Sequence, residues 1–178
     1  MEIKPKVTLY DGTRYRSMAE AKTAEALDRL GIPYEYEGEA ARGPKYVGGQ
    51  YTPDFYADGL RSYIEVAGIW DCRHEANARQ YIIDMNLYRY DEWEHSEAPR
   101  FFRVDGDGYI IPVFSDGSCG ERGDGFVNRC SACGSLSLMG HAGSYECPHC
   151  GSWDGNRYID PIGDNIFDVA GVKRYGGR

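Results

Sequence analysis

Residues 51–68 hold two acidic side chains in a segment whose pattern predicts a β-hairpin. Asp54 follows Pro53 at the start of a run expected to be extended, and the Asp-Gly dipeptide at 58–59 is typical of a turn. Glu65 lies inside a second run rich in strand-forming residues. A charge within an apolar strand is costly unless it has a partner. Two strand carboxylates brought together by a hairpin would form an oxygen site suited to a divalent cation.

The same stretch resembles the signature of the PD-(D/E)XK nuclease superfamily, in which Pro-Asp on one strand precedes Glu-x-Lys on the next. Pro53-Asp54 and 65–68, Glu-Val-Ala-Gly, match that signature except at Ala67, which stands where the family has lysine. The resemblance covers roughly residues 14–114. It implies a restriction-endonuclease-like fold, a mixed α/β sheet flanked by helices.

A helix is predicted over residues 17–30. Ser17 and Glu20 meet the capping-box template, apolar residues recur at helical spacing, and Gly31 ends the pattern. Glu20 then has two interpretations: a capping acid, or an acid that acts with the hairpin carboxylates. The residues alone favour the capping role, whereas the resemblance favours the second, because related nucleases carry an acid on their first helix.

The remaining elements of this core are predicted from local patterns. A small hairpin is expected in 6–16, strands in 32–37, 100–104 and 109–114, a loop in 38–50, and a long helix over 71–93 that Asp71 caps. Asp105-Gly-Asp-Gly108 is read as a hairpin turn, since it lacks the helices and later Glu of a calcium loop. His74 is more consistent with an exposed helix residue than with a ligand or base.

Four of the six cysteines form two Cys-x-x-Cys pairs, Cys130/Cys133 and Cys147/Cys150, separated by 13 residues. A glycine follows each pair and permits a tight turn. Four thiolates suit a closed, structural Zn²⁺ site, and this segment resembles a zinc ribbon with a short hairpin between the pairs. We therefore expect a core at 1–118, a linker at 119–129, and a ribbon with its tail at 130–178. Neither remaining cysteine is assigned a function.

The net charge of −8 argues against a broad basic surface for nucleic acid. Metal-binding carboxylates contribute to that charge, and phosphate contacts can be local. Six basic residues lie near the acids in sequence: Arg14, Arg16, Lys22, Lys45, Arg73 and Arg79. No apolar run approaches the ~18 residues of a membrane span and no secretory signal is visible, so a cytoplasmic protein without a membrane partner is expected.

The resemblance implies a DNA endonuclease in which Asp54 and Glu65 bind Mg²⁺ or Mn²⁺, with Glu20 as a direct or water-mediated partner. Ala67 cannot supply the lysine's charge. The chain is therefore an inactivated variant, an enzyme whose basic group comes from elsewhere (Lys22, Lys45 or Arg73), or a domain that binds without cutting. We favour the first, because all the acids remain. The alternative is an adaptor for nucleic acid or protein. Subunits of a larger nucleic-acid-processing assembly are possible partners.

Overall fold

The computed structural model describes residues 6–36, 51–85, 87, 100–140, 147–152 and 160–173. The loop expected at 38–50, with Lys45, lies outside these residues. The helix expected at 71–93 ends earlier, at Asp84 with Met85 as its C-cap, and residues 86 and 88–93 lie outside the described ranges. Three helices are α1 (Met18–Arg29), α2 (Cys72–Asp84) and α3 (Ile166–Ala170). Within the described ranges, none of the helices combines the length and the apolar character needed to cross a bilayer.

A five-stranded mixed sheet forms the centre of the molecule. Its strands are β3 (Tyr34–Tyr36), β4 (Phe55–Ala57), β5 (Ser62–Val66), β6 (Phe101–Val104) and β7 (Ile110–Pro112), and they lie side by side in that order. All neighbours are antiparallel except β5 and β6. Helix α2 lies between β5 and β6 in the sequence and is part of the crossover connection that two parallel neighbours need. The predicted mixed α/β class is confirmed, while the restriction-endonuclease-like fold stays a prediction.

The sheet is covered by apolar side chains on both faces. Leu27 of α1 belongs to one buried cluster together with Ile64 and Phe102. Tyr81 of α2 belongs to a second cluster together with Phe101. The predicted helix beginning at residue 17 is confirmed, since Ser17 accepts a hydrogen bond from the N–H of Glu20 at 3.1 Å and so caps α1.

Two smaller sheets complete the fold. The predicted N-terminal hairpin is confirmed as β1 (Thr8–Tyr10) and β2 (Thr13–Tyr15). The second sheet contains β8 (Gly125–Arg129), β9 (Leu136–Gly140) and β10 (Pro161–Gly163), in the order β10-β8-β9. The residues expected to be a linker, 119–129, therefore contain a strand. Four residues between 125 and 129 are buried, and composition concealed this because Gly and Asp surround the short apolar run.

The C-terminal segment folds back onto the first half of the chain. Phe167 and Val172 belong to the same buried cluster as Leu27 of α1, and Val127 of β8 joins it. Arg29 donates from Nη1 to the carbonyl oxygen of Gly171 at 2.8 Å. One apolar core thus includes residues from both sides of the expected linker. The division into a core at 1–118 and a module at 130–178 stays a prediction.

Candidate active site

The hairpin of β4 and β5 places Asp54 and Glu65 on neighbouring strands. Phe55 pairs with Ile64, so continuing this antiparallel register by one residue sets Asp54 opposite Glu65. The backbone N–H of Val66 donates to Oδ2 of Asp54 at 2.7 Å and holds the carboxylate at the strand. The two acids are 1% and 9% exposed. Opposed residues share a face of a sheet, so the predicted approach of these two acids is supported by the register.

Glu20 is also buried, at 5% exposure. Its Oε2 accepts a hydrogen bond from the Tyr36 hydroxyl at 2.5 Å and one from the backbone N–H of Arg16 at 3.1 Å. Among the described residues, the Glu20 carboxylate does not accept from the Ser17 N–H, so the capping box is not completed. The carboxylate contacts β3 through Tyr36 instead, which connects the start of α1 to the sheet.

Arg16 connects Glu20 with the hairpin. Its guanidinium forms an ion pair with Oδ1 of Asp54 through Nη2, and its Nε lies 3.6 Å from Oε2 of Glu20. Sequence reasoning counted Arg16 only among several basic residues near the acids. Its pairing depends on a contact between segments 38 residues apart, which no local pattern reveals.

The electrostatics show that Asp54 is affected by the other two acids. Burial, together with the negative charges of Glu65 and Glu20, raises the pKa of Asp54 to about 8. The hydrogen bond from Val66 and the charge of Arg16 only partly oppose this shift. Burial likewise raises the pKa of Glu65. Such shifts are expected where carboxylates are gathered without enough positive charge.

Glu65 has one oxygen without a partner. Its Oε2 is buried and makes no hydrogen bond within the described part of the chain, and the same holds for the hydroxyl of Tyr51. The two groups are neighbours, because an interaction with the Tyr51 hydroxyl lowers the pKa of Glu65 while Glu65 helps to raise the pKa of Tyr51, whose burial is the larger cause. The hydroxyl therefore lies near this carboxylate without reaching good hydrogen-bond geometry. A buried carboxylate oxygen in that situation is costly, and a bound cation would satisfy it. These observations fit a divalent ion held by the two hairpin acids.

Ala67, at the position of the family lysine, lies two residues beyond Glu65, so the two side chains share a face of the sheet. The residue is 7% exposed, and its N–H donates to the Val104 carbonyl at 3.1 Å. Arg103 approaches this position but donates to the carbonyl oxygens of Ala67 and Gly68, both at 2.8 Å. Its guanidinium is therefore engaged with the backbone.

For the basic residues considered as replacements for the lysine, the contacts recorded in the described residues are with groups other than the three acids. The Nζ of Lys22 lies 5.7 Å from the centroid of the Phe167 ring, and Lys45 is outside the described residues. Arg73 lies at the start of α2, and its backbone N–H donates to Asp71. His74 takes part in a capping box with the same Asp71, which agrees with its interpretation as a helix residue, although its charge lowers the pKa of Glu65.

The four cysteines converge as the sequence predicts. Their sulfur atoms all lie within 4.8 Å of one another, with 3.9 Å between Cys130 and Cys150 and 3.7 Å between Cys133 and Cys147. Tetrahedral Zn–S bonds of about 2.3 Å would separate the sulfurs by about 3.8 Å. The cluster can therefore hold a metal ion such as zinc.

Two matching turns present these sulfurs. Gly134 donates to the Cys130 carbonyl at 2.7 Å and Gly151 to the Cys147 carbonyl at 2.9 Å, and both glycines have positive φ, 76° and 67°. The strand that follows the first turn, β9, pairs with β8 before that turn. A hairpin between the two cysteine pairs was expected, but only 136–140 of that segment forms a described strand, and its partner precedes Cys130.

No other group of this kind is found in the part of the chain that the structure describes. Glu20, Asp54 and Glu65 are therefore not recognised together as a group that could hold a metal ion. Hydrogen bonds from Ser135 lower the pKa of the Cys133 thiol to about 6, which favours the thiolate that binds metal.

Comparisons with protein-family models, with curated proteins and with solved structures find no match for this chain. Function is therefore inferred from the residues and their geometry.

Proposed function

We propose that this chain is a metal-dependent DNA endonuclease of the PD-(D/E)XK type, in which Ala67 at the lysine position leaves cleavage weak or absent. The observation that carries the proposal is the placement of Asp54 opposite Glu65, both buried, with Oε2 of Glu65 lacking a partner. Perturbed pKa values among neighbouring buried acids are typical of functional sites.

Asp54 and Glu65 would hold Mg²⁺ or Mn²⁺, with Glu20 as a direct or water-mediated partner. The bound ion would supply Lewis acidity at the scissile phosphate and lower the pKa of a water. The chain's own part is to keep the carboxylates in position: Val66 fixes Asp54, and Tyr36 fixes Glu20. Positive charge near the phosphate is the missing part, since a lysine at position 67 would stabilise developing negative charge.

The cysteine site would hold structural Zn²⁺ in a ribbon-like module. Four thiolates leave no open position for a substrate, so the ion would act through folding. Binding of Zn²⁺ to such small modules contributes on the order of 10 kcal/mol. The module touches the hairpin, because Arg61 donates from Nη1 to the carbonyl oxygen of Pro148 at 2.5 Å.

The test is cleavage of plasmid and branched DNA with Mg²⁺ or Mn²⁺ by the full chain and by Ala67→Lys. The matched control is Ala67→Met, which adds similar length without charge. We expect Ala67→Lys to cut at least about 100-fold faster than the natural chain, as for a lost transition-state donor, and Ala67→Met to show no gain. Asp54→Asn in the Ala67→Lys background should abolish the cutting.

Failure of Ala67→Lys to cut, in a folded chain that still binds DNA, would favour the second candidate. That candidate is a non-catalytic adaptor for nucleic acid or protein on a degenerate nuclease fold, and Ala67 itself is the observation that favours it. An adaptor need not bind Mn²⁺ through Asp54. A folded chain that neither cuts nor binds DNA would reject the nucleic-acid function for the isolated protein.

A further inference from the structure

Arg16 occupies the place where a cation would meet the acids. Its guanidinium forms an ion pair with Oδ1 of Asp54, while its Nε lies 3.6 Å from Oε2 of Glu20. Its backbone N–H donates to that same oxygen of Glu20. One positive side chain therefore links an acid of α1 to an acid of the hairpin.

The two oxygens of Asp54 have different partners. Oδ2 accepts from the N–H of Val66, so Oδ1 is the oxygen that remains for a cation, and Arg16 holds it. A guanidinium and a divalent ion repel each other strongly at contact distance in a poorly solvated site. The two cations would therefore compete for this carboxylate, so metal binding is favoured when Arg16 moves away.

Arg16 is placed so that it can leave. Its side chain is 57% exposed, whereas the side chain of Asp54 is 2% exposed. The exposed guanidinium can rotate toward solvent and regain hydration, while the buried Asp54 cannot follow it. The opposite movement, of Asp54 away from the arginine, would break the hydrogen bond from Val66.

We infer that Arg16 is the resident counter-ion of this acid cluster, occupying Asp54 while no divalent ion is bound and giving way when one binds. This inference rests on the proposed function. It makes Arg16 a positioning residue that sets the affinity of the site for its metal and keeps the carboxylates together in the meantime.

The test is Mn²⁺ binding, followed by electron paramagnetic resonance, to the full chain with Zn²⁺ in its cysteine site and no DNA present. Arg16→Gln is compared at pH 8.5 with the natural chain and with Arg14→Gln. Arg14 is an exposed residue of β2, so its replacement removes the same charge without touching the pair with Asp54. Asp54→Asn supplies the background of binding to other acids.

We expect Arg16→Gln to bind Mn²⁺ about tenfold more tightly, because one competing charge next to the ion is removed, and Arg14→Gln to match the natural chain. Equal or weaker binding by a folded Arg16→Gln would overturn the inference. If Mn²⁺ nevertheless binds the natural chain and is lost in Asp54→Asn, the proposed metal site survives that failure. Absence of Asp54-dependent binding in every form would overturn the metal site and the inference together.

Discussion

Asp54 is under opposing influences that make its charge depend on what else is bound. Burial and the neighbouring acids favour the protonated form, while Arg16 and the N–H of Val66 favour the carboxylate. The raised pKa makes the carboxylate form of Asp54 depend on a cation beside it, and Arg16 is that cation while no metal is bound. A divalent ion would reverse the balance, since it attracts both hairpin acids in their charged form.

Stability should therefore fall as pH rises in the absence of a divalent ion. The folded pKa of Asp54, about 8, lies above the ordinary value of 3.8 for this side chain, so the folded state binds the proton more tightly. The resulting stabilisation is complete below about pH 4 and is lost as pH rises through 8. Comparing urea midpoints of the natural chain and Asp54→Asn from pH 6 to 8.5 should show a steeper decline for the natural chain. Parallel curves would contradict the raised pKa.

At this scale the sequence identifies the acids but not their surroundings. Asp54, Glu65 and Glu20 are recognisable because each is tied to a local signal: a proline, a strand pattern, a helix cap. Tyr51 and Arg16 acquire their roles only through contacts across the fold. The local sequence does not distinguish Arg16 from the exposed Arg14. Only Arg16 is placed next to Asp54, and this happens when α1 packs against the sheet.

Elements with strong local signals are predicted well. Helix α1 follows from its cap and spacing, and the hairpin of β4 and β5 from its turn. Strand β8 is missed because its apolar run is short and is preceded by Gly123-Asp124-Gly125, which is typical of loops. Strand β8 is buried because it packs against the core and pairs with β9 and β10 on its two edges. These contacts come from distant parts of the chain and cannot be predicted from the short apolar run.

The turn between β6 and β7 depends on a glycine at position 108. Gly108 has a φ of 93°, and a Cβ there would lie 2.4 Å from the ring of Phe167. We expect Gly108→Ala to lower the free energy of unfolding by about 2–4 kcal/mol, because backbone strain and a clash in the core add. Urea unfolding measures the change.

Two glycines serve as controls for this substitution. Gly106→Ala, in the same turn with open space around its Cβ, should change stability by less than about 0.5 kcal/mol. Gly12→Ala has positive φ, 79°, but no clash, and should cost about 1–2 kcal/mol. If all three variants lose the same stability, the contact with Phe167 is not what makes residue 108 special.

For the whole molecule, the important feature is that α1 packs against α3. Phe167 lies in the same cluster as Leu27 and Val127, so the residues around the cysteine site and those around the acids are expected to unfold together. A shared apolar core favours a single cooperative transition. Two separate domains with an exposed linker would give two transitions.

Phe167→Ala should lower the free energy of unfolding by about 3–5 kcal/mol, as for other large side chains removed from a core. We then follow the unfolding of Phe167→Ala in urea with Co²⁺ in the cysteine site. The thiolate–Co²⁺ absorbance and the tyrosine fluorescence should change at one common urea concentration, which is lower than for the unsubstituted chain. Ile162→Ala, in a residue 41% exposed, should leave that midpoint nearly unchanged. Separate midpoints for the two signals would support the division expected from sequence.

The contact between Arg29 and Gly171 joins residues 142 positions apart, and this has a consequence for the chain as it is synthesised. A ribosome adds about 5–20 residues per second, so α3 is synthesised on the order of ten seconds after α1, which it covers. During that interval the apolar side of α1 is open to chaperones and to neighbouring nascent chains. The packing around α1 can thus be completed only after residue 171 has been synthesised.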